Sequence, residues 1–345
     1  MIDTTEVRDV FRFDERRLET YLRAHVPGFG PLVAVEQFTK GQSNPTYLLR
    51  TPDRQYVLRR KPPGQVLGSA HAVEREFRVM AALGTHTDVP VPRTYVLCTD
   101  DSIIGTWFFV MERVEGRIFW DITLPQIAVS QRSAYFDAMN ATLAGLHRTD
   151  FAAIGLADYG KPTDYVRRQI TRWSGQYLQD TEAGRVPAMD ALAAWLSSNV
   201  PSSDEAAIVH GDFRCDNLIF HVSEPRVIAI LDWELSTLGH PLADFAYHLM
   251  MYHVPDMAIP GLLGRELAAL GLPSCEQYIA AYCSRTGRDG IADLNFYLAF
   301  NFFRFAAICH GIRGRLRRGN AVSARAREYA AGVEQLAGRG LALTG

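Results

Sequence analysis

Lysine is almost missing from this chain. Lys40, Lys61 and Lys161 are the three it has in 345 residues, so arginine supplies nearly all the positive charge. Cysteine is sparse as well. Cys98, Cys215, Cys275, Cys283 and Cys309 are odd in number and form no CxxC pair, which points to reduced thiols in a cytoplasmic protein rather than a disulfide framework. No HxH or HExxH occurs, so zinc is not expected. No stretch reaches the roughly 18 uncharged apolar residues of a membrane span. Residues 1–17 mix acid and base without the apolar centre of a secretory signal. A net charge of −2 leaves no basic excess to favour nucleic acid or a membrane surface.

What is abundant is apolar: 48% of residues, enough for a substantial core, in a chain long enough for two lobes. Asp14 to Val26 sets Leu18, Tyr21, Leu22 and Val26 at helical spacing and predicts a leading helix within residues 1–30. The period then changes. VAVEQF, TYLLR and QYVLRR predict three strands; His71 to Leu83 predicts a helix with Val73, Phe77, Met80 and Leu83 inward, ended by Gly84. TYVLC and TWFFVMERV add two strands. Residues 31–116 therefore read as a small antiparallel-sheet lobe with one helix. Residues 117–345 read as a larger, mainly helical lobe, interrupted by a pair of strands, AAIVHGD and RVIAILDW. The fold class is α+β.

The informative stretch runs from His210 through Gly211, Asp212, Phe213, Arg214, Cys215 and Asp216 to Asn217, with ILDWE following. Phosphoryl transfer asks a protein to orient the nucleophile, neutralise the triphosphate with a metal ion and hold both in line. Asp212 at a strand end can accept a hydroxyl proton. Asn217, five residues on, and Asp232 on the next strand offer the oxygen ligands that Mg²⁺ takes. An isolated Asp near a strand end is more often a turn or cap residue. The apolar strands before and after the loop, and the spacing to Asp232, favour the chemical reading.

HGDxxxxN followed by LDWE resembles the catalytic loop and metal strand of aminoglycoside phosphotransferases and choline kinases, which share the two-lobed protein-kinase fold. The resemblance covers about Val33 to Leu316. It implies an ATP- and Mg²⁺-dependent small-molecule kinase in which Asp212 is the catalytic base and Asn217 and Asp232 are metal ligands. It also implies that Glu76 pairs with the strand-three base, and that Gly41, Ser43 and Asn44 belong to a phosphate-covering loop. Glu112 and Val114 fall where the interlobe hinge would meet adenine. The family's strand-three lysine is here Arg59, with Lys61 as an alternative if the strand runs further. Arg59 keeps the charge and offers a fork of donors where lysine offers a point. HGD in place of HRD and the lack of APE argue against a protein kinase.

Arginines crowd the second half: Arg167, Arg168 and Arg172, then Arg304 to Arg339, with Arg304 inside the apolar run FYLAFNFFRFAAI. Guanidinium suits carboxylate and phosphate, so Arg172 and Arg304 are candidate contacts to an anionic, hydroxyl-bearing substrate. GQSNPTYLLR, RWSGQY, LDWELSTLGHPLAD and FRFAAICHGIRGR resemble the branch of phosphotransferases fused to, or found alongside, acyl-CoA dehydrogenases. That implies a hydroxy acid or hydroxyacyl-CoA acceptor and a functional link to such a dehydrogenase. Two rivals stand beside this: a kinase of the same fold acting on an amino alcohol, aminoglycoside or sugar, and a nucleotide-binding pseudokinase. His147 is expected to pack or cap, Asp244 to cap a helix or brace the loop, and Glu234 either to join the metal site or to face solvent.

Overall fold

Short alternating runs and helical stripes divide this chain much as their periods suggest, and the pairing of the strands supplies the rest. The computed structural model describes residues 4–39, 44–63, 72–255, 261–320 and 325–345. Its strands are β1 (Thr4–Thr5), β2 (Ala34–Phe38), β3 (Thr46–Arg50), β4 (Gln55–Arg60), β5 (Thr94–Cys98), β6 (Phe108–Glu112), β7 (Ala207–Val209), β8 (Leu218–Phe220), β9 (Val227–Ile230) and β10 (Thr237–Gly239). Its helices are α1 (Glu15–His25), α2 (Val73–His86), α3 (Asp101–Ile104), α4 (Val129–His147), α5 (Tyr165–Gln179), α6 (Pro187–Ser198), α7 (Pro241–Leu249), α8 (Cys275–Thr286), α9 (Leu294–Arg317), α10 (Ala326–Ala331) and α11 (Val333–Ala342). Two compact units result. The first is Met1–Arg117 with Ala152–Tyr159 and Leu218–Leu235; the second is Ile118–Phe151, Gly160–Asn217 and Ser236–Gly345.

In the first unit an antiparallel sheet runs β1-β2-β3-β4-β6-β5. The leading helix belongs to this unit. The Asp14 carboxylate caps α1 by accepting from the Arg16 and Arg17 amides. Leu18 and Leu22 then bury against Tyr47, Tyr56, Leu58 and Phe108 of the sheet. Strand β4 lies between β3 and β6, and its Arg60 is 2% exposed, with Nη1 donating to the Ile104 carbonyl at 3.3 Å. The expectation that Gly84 ends α2 is overturned. The helix runs on to His86, where the Thr87 hydroxyl donates to the Leu83 carbonyl at 2.7 Å. A Cβ at Gly84 would stand 3.2 Å from Val91 Cγ2, so the glycine serves a close approach inside the helix.

The two strands around the HGD loop do not pair with each other. In the second unit β7 pairs antiparallel with β10; in the first unit β8 pairs with β9. The TLG strand Thr237–Gly239 is three residues long and carries no period-two signal. Helix α9 is the axis of the second unit, with α5, α6, α7, α10 and α11 packed on it. Phe296 to Phe303 are buried together, as a run apolar on all sides requires. Among the described residues no helix is long and apolar enough to cross a membrane.

Because α1 buries Leu22 completely against the sheet, Leu22→Ala is expected to cost about 2–5 kcal/mol. Denaturant unfolding reads this directly; a loss below about 1 kcal/mol would mean that the helix is peripheral to the first unit.

Candidate active site

Strand β4 and helix α2 hold a charged cluster in the first unit. Arg59, near the end of β4, is 9% exposed, and its Nε donates to Glu76 Oε1 at 3.1 Å. Its Nη2 donates to Asp232 Oδ1 at 2.7 Å and lies 3.6 Å from Glu234 Oε2. Glu76, 2% exposed, also accepts from Asn44 Nδ2 at 2.9 Å. One guanidinium thus answers three carboxylates. Burial works against its charge, but Glu76, Asp232 and Glu234 outweigh that and hold the Arg59 pKa well above its ordinary value. Burial pushes Glu76 up, with Arg59 opposing. Lys61 is engaged elsewhere: its Nζ pairs with Glu74 at 3.0 Å and sits 4.0 Å from the Trp107 ring centre.

Asp232 follows β9 with φ of 63°, a left-handed conformation that a non-glycine residue adopts at some cost. Such outliers cluster at functional positions. Asp232 is 35% exposed at its side chain, so its carboxylate is reachable even while Arg59 holds one oxygen. Of the expected phosphate loop, Asn44 sits on Glu76, while Gly41 and Ser43 lie outside the described residues. Glu112 ends β6, with its amide donating to the Arg93 carbonyl at 2.7 Å; Val114 lies just beyond the strand, half-buried.

A separate cluster lies in the second unit. After β7 the chain turns through Gly211 at φ of 82°, a conformation that favours glycine. The buried Asp244 carboxylate on α7 accepts from the amides of His210 at 2.7 Å and Gly211 at 2.8 Å. His147 Nε2 lies 3.2 Å from the same carboxylate, and Nδ1 lies 2.7 Å from the Tyr282 hydroxyl. Burial alone would raise the Asp244 pKa, but His147 and the backbone donors bring it below the ordinary value. Arg304 braces the turn from α9: its Nη2 donates to the Gly211 carbonyl at 2.7 Å, and its guanidinium lies 5.1 Å from the Tyr247 ring centre. Arg172 is exposed, 5.4 Å from the Trp173 ring centre.

Held this way, Asp212 meets two hydrogen-bond donors and one guanidinium. Its Oδ1 accepts from the Tyr247 hydroxyl and lies 3.2 Å from Arg214 Nε; its Oδ2 accepts from Asn217 Nδ2 at 3.0 Å. The Asn217 amide nitrogen also donates to the Asp212 carbonyl at 2.9 Å. That orientation spends the donor end of the amide on the loop and leaves carbonyl Oδ1 as its ligating atom. Carboxylate and amide oxygens are the donors a hard divalent cation takes, so Asn217 and Asp232 are chemically fit to hold magnesium.

Tyr247 and Arg214 were not singled out in the sequence. Arg214 lies inside the motif, two residues past Asp212. Tyr247 falls three residues after Asp244 on one helix face, so the carboxylate that braces the loop and the phenol that meets Asp212 stand side by side.

Comparison with known proteins identifies the family. The model of the phosphotransferase enzyme family matches residues 34–282, and the chain belongs to that family. A Ralstonia eutropha protein described as a candidate aminoglycoside phosphotransferase has a crystal structure that matches with a TM-score of 0.89 and 49% identity, over 96% of this chain and 98% of that one. Acyl-CoA dehydrogenase family member 11 of Rattus norvegicus is 43% identical over 349 residues, covering 99% of this chain and 44% of the relative. The chain therefore spans less than half of that relative's length. A thermostable aminoglycoside phosphotransferase mutant, solved with AMP-PNP and hygromycin B, matches at a TM-score of 0.58 and 16% identity, over 95% and 97% of the two chains, a likeness of fold alone. The fold is the α+β kinase-like one.

Behind Asp212, His248 is buried with Nδ1 3.1 Å from the Phe213 carbonyl and Nε2 2.6 Å from the Tyr278 hydroxyl. The carbonyl requires a proton on Nδ1, so the neutral ring accepts from Tyr278 at Nε2. Burial lowers its pKa to about 4 from 6.5. Between those values the unfolded chain binds a proton that the native chain does not. Stability therefore falls as pH drops from 6.5 towards 4, by roughly 3 kcal/mol in full. His240, lowered to about 4 mainly by burial, acts in the same direction. Denaturant unfolding across this window is expected to show the decline, and a flat profile would contradict it.

Proposed function

We propose that this chain is an ATP- and Mg²⁺-dependent phosphotransferase acting on a hydroxyl of a small anionic acceptor, a hydroxy acid or its coenzyme A thioester. The observation that carries the reading is the Asp212 carboxylate, fixed on the loop after β7 by Tyr247, Arg214 and Asn217. Asp212 orients the acceptor hydroxyl and takes its proton as the phosphoryl group moves. Asn217 and Asp232 are the metal ligands, and magnesium, when bound, neutralises the charge of the triphosphate. Arg59, kept charged and positioned by Glu76, binds nucleotide phosphate. Glu112 and Val114 offer backbone groups to the base, and Gly41, Ser43 and Asn44 cover the phosphates.

The acceptor's charge is argued from the second unit. Arg214 stands against Asp212, and Arg304 stands against the Gly211 carbonyl. Asp212 and Asp216 already match Arg214, and the buried Arg304 is spent on that carbonyl, so attraction for a carboxylate or phosphate comes from exposed arginine. Arg172 adds an exposed cation beside Trp173. Much of the arginine-rich C-terminal stretch is spent on structure: Arg313 pairs with Glu334 and Arg318 with Asp180. The name of the rat relative supports a link to acyl-CoA dehydrogenation, in which phosphorylation would turn a chain hydroxyl into a leaving group. Five free thiols fit a cytoplasmic setting. One feature favours a nucleotide-binding protein without turnover: arginine stands where the family's lysine is expected.

A panel of hydroxy acids, acyl thioesters, amino alcohols and aminoglycosides, read by ATP consumption and by the phosphorylated product, separates these readings. Phosphorylation of anionic acceptors is expected. Activity confined to amines would overturn the acceptor assignment, and none at all would favour the pseudokinase. Asp212→Ala is expected to lower turnover by at least about a hundredfold while leaving calorimetric ATP binding largely unchanged. Unchanged turnover would remove Asp212 from its role.

A further inference from the structure

The second unit contains a cavity of about 360 Å³ whose wall includes Tyr247 and Arg214, the two side chains that meet Asp212 Oδ1. The rest of the wall is mixed: Ile122, Met250, Met251, Val254 and Phe305 form an apolar stretch with the half-exposed Trp120, beside Asp216, His248, Arg325 and Tyr329. Its two cations have carboxylate partners already. Arg214 lies 3.2 Å from Asp212 and 3.0 Å from Asp216, and Arg325 lies 2.9 Å from Glu328. The volume is at the lower end for a small-molecule site. Two adjacent methionines give a wall that adapts to flexible aliphatic groups.

We propose that this cavity binds the hydrocarbon chain of the acceptor, and that Met251 sets how much chain it takes. The proposal rests on the hydroxyl-phosphorylating role assigned above and adds to it the apolar part of the substrate. A hydroxyl at Asp212 places its carbon chain past Tyr247 and against Met250, Met251 and Phe305. No charge is required of that chain, because Arg214 and Arg325 are matched within the protein. The anionic group of the acceptor lies outside this cavity.

Titration of the whole chain with straight-chain primary alkanols of increasing length, followed by calorimetry, reads the cavity without turnover. Affinity is expected to tighten by about fourfold per methylene and to level off once the space is filled. Met251→Trp should bring the levelling to shorter alkanols and Met251→Ala should postpone it, so the second variant keeps the test decisive if the first folds poorly. Affinity independent of chain length, or one levelling point shared by all three proteins, overturns the proposal. Hydroxy acids of matching lengths, assayed for turnover, distinguish its failure from that of the functional reading. Turnover without length dependence removes the chain subsite and leaves the phosphotransferase. Length-dependent alkanol binding with no hydroxy-acid turnover keeps the cavity's ligand and removes the hydroxy-acid acceptor.

Discussion

A single buried carboxylate holds the loop that carries Asp212 in the second unit. Asp244 is 4% exposed, and burying an ionised group is costly unless its partners are supplied. Here the partners are the His210 and Gly211 amides and the His147 ring, with Tyr282 behind the histidine. The carboxylate satisfies two backbone donors of a turn that could not otherwise be buried, and the turn delivers Asp212 at its end. Arg304 closes the same turn from its carbonyl side. Asp212 is therefore supported on rigid elements, α7 and α9, rather than on a free loop.

The first unit uses the opposite arrangement, one cation among several anions. Arg59 lies between Glu76, Asp232 and Glu234, with Asn44 adding a donor to Glu76. Carboxylates held this close repel one another, and the guanidinium offsets that repulsion. Guanidinium is suited to the task because its donors point in several directions, whereas an ammonium is a single point of charge. An arginine on β4 thus fits a site in which the side chain contacts two acidic partners directly.

Local patterns were legible in the sequence; long-range partners were not. The HGD loop, Asn217 and Asp232 could be read because the spacing of chemically fit residues lies within one segment. Glu76 could be placed through resemblance, and its burial has a local sign, since it falls in register with Val73, Met80 and Leu83 on α2. The pairing of β7 with Thr237–Gly239 could not be read, because a three-residue strand has too few alternations to register. The short strand Thr4–Thr5 escaped for the same reason. Gly84 carried a helix-stop signal whose real cause is the approach of Val91, a contact that exists only after folding. Tyr247 looked like any aromatic on an apolar helix; its task becomes visible when the Asp244 face of α7 meets the loop.

The central claim, made as a proposal, is that Asn217 and Asp232 are ligands of the divalent ion that accompanies the nucleotide's phosphates. Water-proton relaxation with Mn²⁺ in place of Mg²⁺ and a non-hydrolysable ATP analogue measures that site directly. The account predicts a bound ion in the unaltered protein whose affinity falls in Asn217→Ala and falls again in Asp232→Ala, each alone. Manganese binding unchanged in either variant would contradict it.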